Sequence, residues 1–101
     1  MMAYAILALD RPGSSAARAA ARPEHLKRLE TLQNAGRMLL AGPFPNAEHP
    51  DATAPGFQGS LIVAEFPSLQ DAQSWVQADP YSKAEVYSSV QVFPFKPVFP
   101  Q

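Results

Sequence analysis

His25 is the residue of this 101-residue chain whose type and surroundings most readily suggest chemistry. It follows Arg22 by three positions and precedes Leu29 by four, so on a helix it lies at the border of the apolar stripe. An imidazole at such a border serves either as a general acid–base or as a helix-edge side chain held by structural hydrogen bonds. The spacing alone leaves both interpretations open.

Asp79 is the second candidate, because it stands three residues after Val76 on the expected buried stripe of another helix. The helix dipole disfavours an acid at a helix C-terminus, and a residue placed against local preference can mark a functional position. The alternative interpretation is that Asp79, which precedes Pro80, only begins a turn.

Three further side chains are candidates for binding a substrate. Arg22 can hold an anionic group, Ser60 can donate a hydrogen bond to a ligand, and Tyr81 can line a pocket together with Phe57 and Tyr87. The structural alternatives are a strand-edge serine and ordinary core aromatics.

Several other chemistries are excluded or not predicted. The chain has no cysteine, which removes disulfides, thiolate catalysis and thiolate metal sites. His25 and His49 stand 24 residues apart, and His49 falls in a polar, proline-containing loop where we expect it to be solvated, so no metal is predicted. The glycine spacing matches no nucleotide-binding loop, and no cofactor is expected. Eight basic and nine acidic residues give a net charge of −1, which argues against nucleic acid as a partner.

These residues need secondary structure to position them, and the apolar runs and turn residues predict it. Pro23 is expected to interrupt an alanine-rich stretch and to start a helix that stops at Gly36. Ser68 and Asp71 form a capping box for a second helix, whose apolar stripe is Leu69, Ala72 and Val76 and which ends at about Asp79. The predicted strands cover residues 4–9, 38–41, 60–66 and 90–95, and a further turn is possible over 81–85.

The resulting order, β-α-β-β-α-β, predicts one α+β domain over residues 1–101, with two helices on one face of a four-stranded sheet. The strands at 4–9 and 60–66 are apolar on both faces, and the helices can cover only one of them. We therefore expect a homodimer in which a second copy covers the other face.

The composition and the apolar runs indicate where in the cell the protein is expected. Hydrophobic residues make up 47% and charged residues 17%, as in an ordinary globular domain. No apolar run approaches the ~20 residues of a membrane span, and the first residues lack the basic region of a signal peptide. The expectation is a cytoplasmic protein with no membrane partner.

Six short motifs follow one another along the chain: Arg22–Leu26, Gly36–Arg37, Ala41–Pro43, Gly59–Ser60, Ala78–Tyr81 and Pro94–Lys96. Their order and spacing resemble the YciI-like proteins, the YCII-related domain family, over residues 4–99. The resemblance implies a ferredoxin-like βαββαβ subunit paired into a dimeric α+β barrel. It also implies an active site built on a histidine and an aspartate, which fall on His25 and Asp79.

The resemblance further implies a class of reaction. Relatives include a dehydrochlorinase that acts on a chlorinated hydroxyhydroquinone, and the wider fold includes muconolactone isomerase. The corresponding hypothesis is a lyase- or isomerase-type enzyme that needs no cofactor and moves a proton on a small cyclic or carbonyl-bearing metabolite. Asp79 would orient the His25 ring and fix its tautomer, with Arg22, Ser60 and Tyr81 binding the substrate. The alternative is a non-catalytic dimer that binds a small ligand or regulates.

A contact between His25 and Asp79 conflicts with the expected topology. If both helices run the same way across the sheet, the start of the first and the end of the second lie at opposite ends. The contact then requires extra helical turns before Pro23, a short second helix, or a residue from the partner subunit. The family resemblance favours one of these solutions.

Overall fold

Four antiparallel strands form a sheet in the order β2-β3-β1-β4 in the computed structural model, which describes residues 1–48 and 56–101. The strands are β1 (Met2–Asp10), β2 (Met38–Pro45), β3 (Phe57–Phe66) and β4 (Tyr87–Phe95). The helices are α1 (Ser15–Asn34), α2 (Leu69–Gln77) and the short α3 (Pro80–Lys83). This arrangement confirms the predicted ferredoxin-like βαββαβ class.

The two strands predicted to be apolar on both faces, β1 and β3, occupy the centre of the sheet. One face packs against the helices and forms the core with Ile6, Ile62, Phe66 and Val76. The other face carries no helix within the described residues. We call it the open face and define it by its large apolar residues, Leu7, Leu9, Leu40, Leu61, Phe93 and Phe95, which the strand register places on one side. Four of these side chains are exposed, with Phe93 at 50%.

Helix α1 differs from the prediction, because it begins at Ser15 and passes through Pro23 without a break. An interior proline removes one backbone hydrogen bond and costs about 3 kcal/mol. Buried side chains hold the helix to the sheet on both sides of it, Arg18 before and Leu32 after, so tertiary contacts override the local preference. The predicted stop is confirmed: Gly36 has φ +72°, the left-handed conformation that glycine adopts readily.

The predicted capping box of α2 is confirmed, since the Ser68 hydroxyl accepts a hydrogen bond from the Asp71 amide. Ala72 and Val76 are buried as expected, whereas Leu69 is exposed because it lies in the first turn, beyond the sheet contact. The helix ends at Gln77. Asp79 is therefore not the last residue of α2 but the N-cap of α3, where an acid is favourable.

The expectation that the two long helices run the same way is wrong. Strands β1 and β3 are antiparallel, and each is followed by a helix that returns along the sheet, so α1 and α2 run in opposite directions. The nine residues that follow His25 in α1 rise about 13 Å, and the nine residues of α2 rise about the same distance. His25 and the end of α2 therefore lie at the same level along the direction of the strands.

No helix in the described ranges is long and apolar enough to cross a membrane. The cytoplasmic location expected from the sequence stays a prediction.

The close contact between β1 and β3 at Gly59 gives a test of the sheet. A Cβ at Gly59 would overlap the backbone carbonyl oxygen of Ala8, which cannot rotate away. We expect Gly59→Ala to lower the free energy of unfolding by about 1–3 kcal/mol, measured by urea denaturation. The control is Gly42→Ala in β2, where a Cβ meets no atom within 4 Å. Equal losses in the two variants would contradict this account.

Candidate active site

The structure brings His25 and Asp79 into direct contact within the single chain. The His25 Nδ1 lies 2.8 Å from Asp79 Oδ1 and 3.0 Å from Oδ2, and the residues are only 5% and 1% exposed. His25 comes from the middle of α1, and Asp79 comes from the junction of α2 and α3. The early start of α1, the shortness of α2 and the opposite directions of the two helices together make this contact possible.

Asp79 is held by more than the histidine. Its Oδ1 accepts a hydrogen bond from the backbone amide of Tyr81 at 2.9 Å, and its Oδ2 accepts one from Arg28 Nη1 at 3.1 Å. Three donors therefore surround a carboxylate that is almost completely buried. This arrangement suits Asp79 to orienting the imidazole, because its oxygens have little capacity left for a ligand.

Tyr81 restrains the imidazole of His25 by stacking on its face. Its ring stacks on that of His25 with centroids 3.9 Å apart and an angle of 19° between the planes, and the Arg18 guanidinium lies 4.6 Å from the Tyr81 centroid. Burial raises the pKa of the Tyr81 phenol, although the positive charges of Arg18 and Arg22 oppose the shift. The phenol is therefore neutral near pH 7, a donor and not an anion.

Arg18 belongs to the site although the sequence analysis missed it. Its Nε and Nη2 donate to the two carboxylate oxygens of Asp10 at 2.7 and 3.0 Å, and Nη2 also donates to the Ser60 hydroxyl at 2.9 Å. Burial lowers the pKa of Arg18, but the hydrogen bond and attraction of Asp10 outweigh it and raise the pKa overall. The available signal was an acid at the end of the first strand with an arginine eight residues later.

A cavity of about 600 Å³ lies beside His25, between α1, the middle of β2 and the first half of β3. The four sequence candidates other than Asp79 line it, together with the unforeseen Arg18: His25, Arg22, Ser60, Tyr81 and Arg18. Most of the remaining wall is apolar, with Leu26, Leu29, Phe57 and Ile62. Because Nδ1 faces Asp79, Nε2 is the ring nitrogen of His25 that remains for a ligand.

The other candidates are distributed as follows. Phe57 lines the cavity, but Tyr87 is a core residue packed edge-on against Tyr81, with ring centroids 5.8 Å apart. His49 lies outside the described residues. Within the described ranges, no group of three or more His, Asp or Glu side chains is arranged to hold a metal ion.

A βαββαβ sandwich that presents a buried histidine–aspartate pair to a partly apolar cavity defines a class of small α+β domains with one candidate active site per subunit. Residues 2–96 match the family model of the YCII-related domain. The chain belongs to this family, as its motifs predicted.

Relatives that match almost the whole length of the chain include proteins of two organisms. Protein YciI of Escherichia coli O6:H1 (strain CFT073) is 50% identical over 98 residues, which are 97% of this chain and 100% of the relative. An uncharacterized protein of Haemophilus influenzae (strain Rd) is 45% identical with the same coverage of both chains.

Solved structures with the same fold include two with high coverage of this chain. The 5-chloro-2-hydroxyhydroquinone dehydrochlorinase TftG of Burkholderia phenoliruptrix AC1100, in complex with 2,5-dihydroxybenzoquinone, superposes with a TM-score of 0.83 at 30% identity, covering 94% of both chains. Protein Atu4242 of Agrobacterium tumefaciens has a TM-score of 0.53 at 16% identity, with 98% of this chain and 95% of that one covered, and shows the fold alone.

The buried phenol of Tyr87 provides a test of the electrostatics behind the site. Burial and the charge of Asp79 raise its pKa above the ordinary 10.0, and the positive charge of Arg18 opposes the shift. Above pH 10 the unfolded chain loses this proton while the folded chain keeps it, so stability falls as the pH rises. We expect Tyr87→Phe to flatten this fall in urea denaturation series above pH 10.

Below that window the variant should lie within about 1 kcal/mol of the wild type, because the hydroxyl has no hydrogen-bond partner in the described part of the chain. Tyr4 supplies the matched control, Tyr4→Phe. If both variants flatten the alkaline fall equally, the assignment to Tyr87 is wrong.

Proposed function

We propose that this protein is a cofactor-independent enzyme that performs acid–base chemistry on a small cyclic or carbonyl-bearing metabolite. The observation that carries the proposal is the buried hydrogen bond between His25 Nδ1 and Asp79, on a ring that also lines the cavity. A buried carboxylate behind an imidazole fixes its tautomer and leaves the second ring nitrogen for proton transfer.

The proton follows a simple path in this proposal. His25 donates its Nδ1–H to Asp79, so that Nε2 carries the lone pair and removes a proton from a carbon next to a carbonyl or enol group of the substrate. The electron pair of the broken C–H bond enters the conjugated system of the substrate. It then expels a leaving group, as in a lyase, or recovers the proton from Nε2–H at another carbon, as in an isomerase.

The similarity to TftG supports this class of reaction. That protein is a dehydrochlorinase and binds a dihydroxybenzoquinone, and it is 30% identical to this chain over nearly the full length. The cavity of about 600 Å³ and its largely apolar wall suit a substrate of the size of one substituted ring. Ser60 and Tyr81 are neutral polar side chains in the cavity wall that can orient that ring.

Proton transfer can be measured without knowing the physiological substrate. We expect the wild type to release chloride from 5-chloro-2-hydroxyhydroquinone, or to exchange the ring protons of 2,5-dihydroxybenzoquinone with D₂O, faster than buffer alone. His25→Gln and Asp79→Asn should each lower the rate by about 10²–10⁴-fold. The control Glu24→Gln changes an exposed neighbour on α1 and should keep the rate.

Binding of either compound without chloride release or exchange would contradict catalysis on them. That outcome would instead support the second candidate function, a non-catalytic small-ligand or regulatory protein. The near-complete burial of Asp79 is the observation that favours this second function, since a structural pair is also expected to be sealed.

We also propose that the protein is a homodimer joined through the open face. Exposed apolar patches of this extent on a sheet mark association surfaces, and a two-fold axis lets one face cover itself. The central strands place Leu7 and Leu61 on the open face. The helices of the same chain lie on the opposite face and cannot bury these two side chains. The occupant that suits this flat, apolar surface is a second copy of the chain.

Light scattering at micromolar concentration should give twice 10.9 kDa for the wild type. Phe93→Glu places a charge on the open face, on the edge strand β4, and should shift the mass toward 10.9 kDa. Leu69→Glu changes an exposed leucine on α2, on the helix side of the sheet, and should leave the mass unchanged. A monomeric wild type would rule out the open-face dimer.

A further inference from the structure

We propose that the cavity binds a ligand carrying one negative charge, and that Arg22 is the residue that selects this charge. The inference deepens the proposed function and rests on it in one respect, namely that the His25 ring enters the reaction as a neutral base. The charges around the cavity provide the argument, because each cation except Arg22 already has a carboxylate partner.

Arg18 faces the cavity, but its charge is compensated. Asp10 accepts two hydrogen bonds from its guanidinium, at 2.7 and 3.0 Å, and both side chains are less than 10% exposed. An anionic ligand would have to compete with this buried pair, so Arg18 and Asp10 together contribute no net charge to the cavity.

The positive charge of Arg28, near His25, is compensated in the same way. Arg28 donates to Asp79 at 3.1 Å, and this second arginine–aspartate pair is also neutral as a unit. Arg28 is turned toward α2, where its guanidinium lies 4.4 Å from the ring centroid of Trp75, and it does not line the cavity. With a neutral imidazole, the His25 region therefore adds no charge either.

Arg22 remains as the unpaired charge. It lines the cavity and is exposed, and no carboxylate of the described residues forms a hydrogen bond or ion pair with it. No acidic residue of the described chain lines the cavity. Arg22 stands one turn after Arg18 and three residues before His25 on the same face of α1. Among the described residues, and with a neutral His25, the cavity wall thus carries one positive charge that has no carboxylate partner.

Geometry connects this charge with the proposed chemistry. Side chains three residues apart on a helix have Cβ atoms about 5–6 Å apart, roughly the width of one six-membered ring. A carboxylate or enolate oxygen on the Arg22 guanidinium would place the far side of the same ring at His25. A second negative charge would find no free cation and would face the desolvated apolar wall.

A series of ring compounds that differ in charge tests the inference by calorimetry. The probes are benzamide, benzoate and phthalate, with zero, one and two negative charges. We expect benzoate to bind at least about fivefold more tightly than either of the others. Arg22→Gln should weaken benzoate binding about five- to tenfold and leave benzamide binding unchanged. Lys27→Gln removes one positive charge from an exposed position of α1 outside the cavity and should change neither.

Several results would overturn the inference: no detectable benzoate binding, benzamide bound as tightly as benzoate, phthalate bound more tightly, or equal effects of the two variants. The binding test is independent of turnover. A protein that prefers benzoate but transfers no proton contradicts the proposed enzyme and keeps the charge selection, whereas turnover of neutral and charged substrates at equal efficiency contradicts the charge selection alone.

Discussion

The carboxylate of Asp79 is the point at which the helical layer is joined. It caps α3 through the Tyr81 amide, holds the ring of His25 in the middle of α1, and pairs with Arg28, whose guanidinium in turn covers Trp75 of α2. One buried anion therefore connects three helices. A carboxylate can be buried only when its oxygens accept hydrogen bonds, so this packing requires all three donors.

A second buried pair, Arg18 with Asp10, attaches the beginning of α1 to the sheet. It ties the first turns of the helix to the last residue of β1 and, through Ser60, to β3. This attachment explains why the helix extends upstream of Pro23, where local preference predicted a break. The additional turns place His25 in the middle of α1. Along the strand direction, this is the level at which α2 ends. The polar pair at the sheet and the histidine–aspartate contact are thus linked through the length of α1.

Much of this molecule was predictable from local sequence patterns. The order of strands and helices along the chain, the end of α1 at Gly36 and the capping box at Ser68 were predictable. Each depends only on residues close together in the sequence. The family motifs pointed to His25 and Asp79, which the structure brings together. The Arg18–Asp10 pair, the continuity of α1 at Pro23 and the opposite directions of the helices were not predicted. Each of these depends on which strands pair, and spacing along one segment carries no information about that.

Pro23 has a consequence for the wall of the cavity. In an unbroken helix the carbonyl of Ala19 would accept a hydrogen bond from the residue four positions later, and that residue is Pro23, which has no N–H. Ala19 lines the cavity, between Arg18 and Arg22 on the same helix. The helix that forms this wall therefore has one backbone carbonyl whose usual donor, four residues later, is missing. Because Pro23 creates this gap in the main chain, substitution of Ala19 leaves it in place, whereas any other residue at position 23 restores the missing donor.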